Sequence, residues 1–265
     1  MSRVRSKDGT SIDYERQGSG RAVVLVGGGL ADRSENAPLT EELARYFTVY
    51  NYDRRGRGLS GDTLPYALVR EIEDLEALIA EAGSPVHLYG VSSGGALVLE
   101  AAAAGLAVDR LGIYEVPYFL SDEMLKQWQE YVENLGALLA QGRRGEALAL
   151  FMQLAGSTEE DIAAARGSTE WAASEGLVHT LMYDAACLGD GRPSVERFAR
   201  ISQPTLVATG AGLDSTMQQL EPGFFDEAAD ALVASMPHAE RKVVPVTSHV
   251  ADPLVVAPIL HEFFS

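Results

Sequence analysis

Val86-His87-Leu88-Tyr89-Gly90-Val91-Ser92-Ser93-Gly94-Gly95-Ala96 is the stretch from which the fold can be read. Val86 to Tyr89 is an apolar run of strand length, and Ser93 to Ala104 is a helix whose Ala and Gly residues let it lie close to a sheet. Between them stands a G-x-S-x-G pattern centred on Ser92. A serine raised on so tight a strand-to-helix turn adopts strained backbone angles, and glycine is needed two positions to either side because a Cβ there meets neighbouring backbone. The turn aims a helix N-terminus at the serine, so the Ser93 N–H is placed to donate to a developing oxyanion, while Ser93 itself is the weaker nucleophile candidate. The competing reading is a Gly/Ser loop that only turns or binds phosphate. The loop lacks the Gly-Lys-Ser/Thr of a phosphate-binding loop and the spacing of a dinucleotide fingerprint.

Outward from this turn, strand and helix signals alternate. Ala22–Val26 and Thr48–Tyr52 read as strands, with Leu39–Tyr46 as the helix between them; Pro65–Ala82 reads as a helix and Arg110–Tyr114 as a strand. Side chains alternate from Thr10 to Glu15 between Asp8-Gly9 and Gln17-Gly18-Ser19-Gly20, which predicts an edge hairpin. After a long break the pattern resumes with a strand at Pro204–Thr209, a helix at Phe225–Ser235, a strand at Arg241–Val244 and a helix at Pro253–Phe264. Parallel neighbours need crossover helices, so this order predicts an α/β fold with a doubly wound, mostly parallel sheet. Residues 121–199 hold helix formers and no strand signal; they are expected to form a helical cap inserted into a core made of residues 1–120 and 200–265.

Composition excludes several classes. The 265 residues are 46% hydrophobic, enough for a substantial core, and the net charge of -17 sets the surface against nucleic acid and anionic membranes. Cys187 is the only cysteine, so neither an internal disulfide nor a cysteine zinc or redox motif can form. No apolar run reaches membrane-spanning length and none follows the basic N-terminus, so the expected compartment is the cytoplasm. No metal-ligand spacing is evident, and acyl transfer by serine requires no cofactor; none is expected.

The run Tyr52-Asp53-Arg54-Arg55-Gly56-Arg57-Gly58-Leu59-Ser60-Gly61, the Gly90–Gly95 turn and the late His249 together resemble the α/β-hydrolase superfamily, in particular its bacterial, lid-bearing esterase and epoxide-hydrolase-like branch. The likeness spans essentially the whole chain. It departs from the family pattern at Gly27-Gly28-Gly29, where His-Gly is common, and at Val91, where a histidine is common. Epoxide hydrolases and haloalkane dehalogenases of this fold use an aspartate nucleophile, so Ser92 implies acyl chemistry instead.

A serine hydroxyl needs a base within reach. Of the five histidines, only His249 follows the last strand signal, on the carboxyl edge where an open α/β sheet holds its ligand; His87, His179, His238 and His261 read as packing or solvent-facing residues. Two carboxylates compete to orient it. Asp214 follows the Pro204–Thr209 strand, the commoner source in the superfamily, but stands one residue beyond the usual spacing after Gly210. Glu115 ends the Arg110–Tyr114 strand and resembles the acid position of haloalkane dehalogenases; it is slightly favoured, with a salt bridge to Arg54, Arg55 or Arg57 as its structural alternative. A turn or helix cap is the alternative for Asp214. Gly28 or Gly29 is expected to supply the second oxyanion donor, and Asp53 and Arg54 to brace that loop.

Tyr118, Phe119, Trp128, Tyr131, Phe151, Met152, Trp171, Met182 and Tyr183 are candidates to line an apolar acyl or aromatic pocket under the cap, each with helix packing as its alternative role. The function expected is hydrolysis of a small-molecule carboxylic ester through an acyl-Ser92 intermediate. Lactone hydrolysis, acyl transfer, cyclisation of a specialised metabolite, and simple small-molecule binding on the same scaffold stand as alternatives.

Overall fold

The computed structural model describes residues 2–83 and 85–265. Its strands are β1 (Ser2–Arg5), β2 (Ser11–Gly18), β3 (Ala22–Val26), β4 (Thr48–Tyr52), β5 (Val86–Val91), β6 (Leu111–Tyr114), β7 (Thr205–Gly210) and β8 (Ala239–Val244). They form one sheet in the order β1-β2-β4-β3-β5-β6-β7-β8. The β1–β2 and β2–β4 pairings are antiparallel, and every pairing from β4 to β8 is parallel.

The helices are α1 (Ala37–Leu43), α2 (Leu68–Ala82), α3 (Ser93–Ala103), α4 (Asp122–Ala140), α5 (Arg144–Leu154), α6 (Glu159–Ala165), α7 (Thr169–Leu177), α8 (Leu181–Leu188), α9 (Val195–Phe198), α10 (Phe224–Ser235) and α11 (Pro253–Phe264). The segment from α4 to α9 lies between β6 and β7 and, among the described residues, contains no strand. Its α8 packs against α3, the helix that follows Ser92.

The continuous apolar character of β3 has a direct cause. Successive side chains point to opposite faces of a strand. Val24 and Val26 enter the core shared with α2, α3, α4 and α10, whereas Val23 and Leu25 enter the core shared with α1 and α11. Burial on both faces removes the polar alternation that a half-exposed strand shows.

Several element bounds differ from the sequence expectation; β8, for example, starts at Ala239 and α10 at Phe224. β1 is an additional edge strand pairing Ser2 to Arg5 with β2. α1 begins at Ala37 and ends at Leu43, because Pro38 starts the helix early and Ala44 to Tyr46 close it in tight turns. α2 starts at Leu68 and excludes Pro65 and Tyr66. The Tyr66 ring stacks on Tyr183 at 3.8 Å and its hydroxyl lies 3.2 Å from Tyr183 O, long-range contacts that hold it off the helix axis. By contrast α11 spans Pro253 to Phe264 as read, with Pro253 in its first turn and the Asp252 carboxylate capping the Leu254 N–H at 2.9 Å.

His87 illustrates a polar side chain used as core. It is fully buried within β5, stacks on Phe264 at 4.7 Å, and neither ring nitrogen has a hydrogen-bond partner among the described residues. Burial pushes its pKa from 6.5 down to about 4. In the unfolded chain His87 takes up a proton below about 6.5, while the folded protein stays neutral there until about 4. The unfolded state therefore binds more protons in that window, and stability falls as pH drops through it, by on the order of 3 kcal/mol at the acid end. Urea midpoints at pH 7.5 and pH 5.0 should fall further in the wild type than in His87→Leu; equal falls would acquit His87.

Candidate active site

Ser92 occupies the single position between β5 and α3 with φ 55° and ψ -129°. The turn is held by the Ser92 N–H donating to Tyr114 O at 2.9 Å and by the Gly95 N–H donating to Ser92 O at 2.9 Å. Its glycines are required by close approach: a Cβ on Gly90 would lie 2.5 Å from Gly94 O, and one on Gly94 would run into the carbonyls of Val26 and Gly27. Gly28 faces the serine from the neighbouring loop, where a Cβ would lie 3.2 Å from Ser92 Cβ.

The non-glycine residues with positive φ among those described are Leu30, Ser92 and Glu115. Each sits on one of the three loops that follow β3, β5 and β6, at the carboxyl edge of the sheet. Backbone strain of this kind costs on the order of 1–3 kcal/mol per residue and persists where surrounding structure enforces it.

Glu115 is 4% exposed. Its Oε2 lies 2.6 Å from His249 Nδ1, and its Oε1 accepts from the Gly210 N–H at 2.9 Å. The His249 ring stacks on Phe225 at 5.2 Å, and the Tyr114 hydroxyl donates to the Ser248 carbonyl at 2.9 Å, so the loop carrying the imidazole is gripped on two sides. A carboxylate on Nδ1 fixes the ring and leaves Nε2 free to take up a proton.

Asp214 meets the same loop differently. Its Oδ2 accepts the His249 backbone N–H at 3.3 Å, and its Oδ1 accepts from the Thr216 N–H and hydroxyl at 2.9 and 2.8 Å. It therefore forms a turn that supports the loop and makes no hydrogen bond to the ring. Burial acts to raise its pKa, but these donors outweigh burial and hold it below the usual carboxylate value.

The salt bridge weighed for Glu115 goes to other carboxylates. Arg54 pairs with Glu71 through Nε and Nη2, both at 2.8 Å, and with Asp184 at 2.7 Å. Arg55 pairs with Asp74 and Asp8, and Arg57 with Asp184. All three guanidiniums are buried, and Arg54 also reaches Gly27 O at 3.3 Å. Asp53 accepts the backbone N–H groups of Arg33 and Leu59, both at 2.8 Å.

Ser92, His249, Gly28, Gly29 and Ser93 line one cavity of about 390 Å³. Of the aromatic and methionine side chains singled out from sequence, Phe119, Trp128, Tyr131, Phe151 and Met152 also line it. The remaining four do not: Tyr118 is buried near Phe198, Trp171 and Met182 pack against the core, and Tyr183 stacks on Tyr66. Ser92 Oγ makes no hydrogen bond among the described residues. Such contacts tighten in many enzymes only once substrate is bound.

Two cavity-lining carboxyls carried no sequence signal. Glu35 lies in the loop after Gly29; burial raises its pKa, with His249 and the Gly28 N–H acting in the opposite direction. Asp184 comes from α8, a helix whose acidic residue looked like any solvent-facing one. The remaining histidines lie away from this group: His179 is 3.7 Å from Asp62, and His261 stacks on Tyr46 at 4.0 Å. Among the described residues no cluster of His, Cys, Asp and Glu has the arrangement of a metal site, and no helix is long and apolar enough to cross a membrane.

Comparison with known proteins identifies the family of the fold. Residues 23–259 match the sequence profile of the alpha/beta hydrolase family. An alpha/beta hydrolase from Sphaerobacter thermophilus is similar in structure with a TM-score of 0.88 and 44% identity, all of both chains being covered. Among curated proteins, an uncharacterized hydrolase YraK of Bacillus subtilis is 28% identical over 153 residues, 55% of each chain. The N-formylmaleamate deformylase of Pseudomonas putida is 35% identical over 117 residues, 42% of this chain and 44% of that one. The chain thus matches about half the length of these curated relatives.

Proposed function

This chain belongs to the alpha/beta hydrolase family and is a hydrolytic enzyme, and from that premise we propose that it cleaves a small-molecule carboxylic ester, or a related acyl bond, through an acyl-Ser92 intermediate. The observation that carries the proposal is the 2.6 Å contact between Glu115 and His249 on the wall of a cavity also lined by Ser92. His249 Nε2 takes the Ser92 proton as Oγ attacks the carbonyl, and Glu115 stabilises the imidazolium that forms. The tetrahedral oxyanion is met by the Ser93 N–H, an unpaired donor of the first turn of α3, and by a donor from Gly28 or Gly29. Collapse expels the alcohol with the proton returned by His249. Water, activated by the same histidine, then attacks the acyl-enzyme and releases the acid.

The helices α4 to α9 act as the cap that closes the cavity over the serine, and its substrate has an apolar or aromatic body. Phe119, Trp128, Tyr131, Phe151 and Met152 support this reading. Charge supports a further restriction: Glu35 lines the cavity and no described Lys or Arg does, which favours uncharged groups over anionic ones. The deformylase among the relatives adds N-formyl amides to the esters and lactones that belong in a substrate panel.

A fluorophosphonate probe tests the nucleophile directly. Intact-mass measurement should show one adduct per chain on the wild type and none on Ser92→Ala. A folded wild-type protein that takes up no probe would leave a small-molecule binder in place of an acyl enzyme.

A further inference from the structure

The acyl-Ser92 reading uses the Ser93 N–H and a donor from the Gly27–Gly29 loop, which come from separate segments of the chain. We infer that Asp184, on the cap helix α8, is the positioning residue that holds both halves of this oxyanion hole in register; the inference rests on that reading. Asp184 is 6% exposed. Its Oδ1 accepts three hydrogen bonds, each at 2.7 Å, from Arg54 Nη1, Arg57 Nη2 and Ser93 Oγ.

The first half of the hole is gripped directly. Ser93 Oγ donates to Asp184, so the residue whose N–H faces the reacting carbonyl is tied by its own side chain. The second half is gripped through the two guanidiniums. Arg54 Nη1 also lies 3.3 Å from Gly27 O, and Arg57 Nη1 donates to Gly28 O. A trans peptide is planar, with its C=O and the following N–H pointing in opposite directions. Pinning Gly27 O therefore sets the direction of the Gly28 N–H, and pinning Gly28 O sets that of the Gly29 N–H. One oxygen atom of the cap thus bonds both of the cations that hold these peptides.

Charge makes the arrangement depend on Asp184. Burial acts to raise its pKa, but Arg57 and Arg54, with the Ser93 hydroxyl, outweigh burial and keep the carboxylate ionised. Arg54 retains the two-point pair with Glu71 if Asp184 is neutralised, whereas Asp184 is the carboxylate that Arg57 holds. The Gly28 carbonyl, tied to Arg57, is thus the part of the hole most exposed to a change at position 184. Gly29 also belongs to this contact, since a Cβ there would lie 3.4 Å from Asp184 Oδ2.

Asp184→Asn keeps an acceptor oxygen and removes the charge. On 4-nitrophenyl phenylacetate it should lower kcat about 10- to 100-fold and leave KM within about twofold, because a misaligned oxyanion donor weakens transition-state binding and spares ground-state binding. The affinity of 2-phenylethylboronic acid, which forms a tetrahedral adduct on serine, should fall by the same factor as kcat/KM. A purely structural role for Asp184 would not make those two numbers move together. Ser93→Ala removes one grip without disturbing the charges and should fold even if Asp184→Asn does not; a roughly three- to tenfold fall in kcat at constant KM is expected. Unchanged kcat in either folded variant, or a loss expressed only in KM, overturns the inference. Its failure is distinguishable from failure of the acyl-enzyme reading, because a wild type that labels with fluorophosphonate while both variants turn over normally sinks this inference alone.

Discussion

Ser92→Ala is expected to lower kcat on short 4-nitrophenyl esters by at least about 10⁴-fold, since removal of the nucleophile from a serine triad leaves only binding and the oxyanion donors to act. Ser92 Oγ makes no hydrogen bond among the described residues, so its loss breaks none of the contacts that hold the turn. Those contacts are backbone ones, from the Ser92 N–H to Tyr114 O and from the Gly95 N–H to Ser92 O, and alanine keeps them. The strained backbone at position 92 weighs on any residue with a Cβ, serine and alanine alike, so the substitution leaves that strain unchanged. Thermal unfolding should therefore stay close to wild type while turnover disappears. Rates within about tenfold of wild type in the folded variant would remove Ser92 from the chemistry and with it the acyl-enzyme proposal.

The second large effect separates the two carboxylates. Glu115→Gln should lower kcat by roughly 10³- to 10⁴-fold, because an amide facing Nδ1 neither stabilises the imidazolium nor holds the tautomer in which Nε2 accepts a proton. Asp214→Asn should lower it by less than about tenfold. Asp214 accepts from the backbone of His249 and from Thr216, and an asparagine carbonyl can keep part of that turn. Steady-state rates of the two variants, with near-ultraviolet circular dichroism to verify folding, decide the matter. A large loss in Asp214→Asn with a small one in Glu115→Gln would assign the acid role to Asp214, which would require the His249 loop to rearrange when substrate binds.

These two residues also show where sequence reading reaches its limit. Glu115 and Asp214 each follow a strand at the same sheet edge, and both loops lie close to the imidazole in space. Which carboxylate meets the ring depends on a positive φ at Glu115, on the Gly210 N–H that orients its other oxygen, and on the seat that Phe225 provides for His249. None of these is a property of a local sequence window. Tyr66 makes the same point for secondary structure, since its stack on a residue more than a hundred positions away holds it outside a helix that its neighbours favour.

Asp184 and Glu35 were beyond such reading for another reason. A carboxylate on an amphipathic helix or a loop looks solvated until packing places it beside a buried arginine or a cavity wall. The arginines themselves were visible in Arg54-Arg55-Gly56-Arg57, but their partners Glu71, Asp74 and Asp184 are distributed over two helices from different parts of the chain.

Sequence by itself determined the sheet strands β3 to β8 and their crossover helices, the turn that raises Ser92, and the late loop that carries His249. These follow from short-range rules: apolar runs buried on both faces, capping residues, and glycines that a tight turn requires. The tertiary structure decided which carboxylate faces the imidazole, which aromatic side chains of the helical segment reach the cavity, and which acidic residues join the buried arginines. Those outcomes depend on hydrogen bonds and packing between segments far apart in the chain, whose energies no local pattern records.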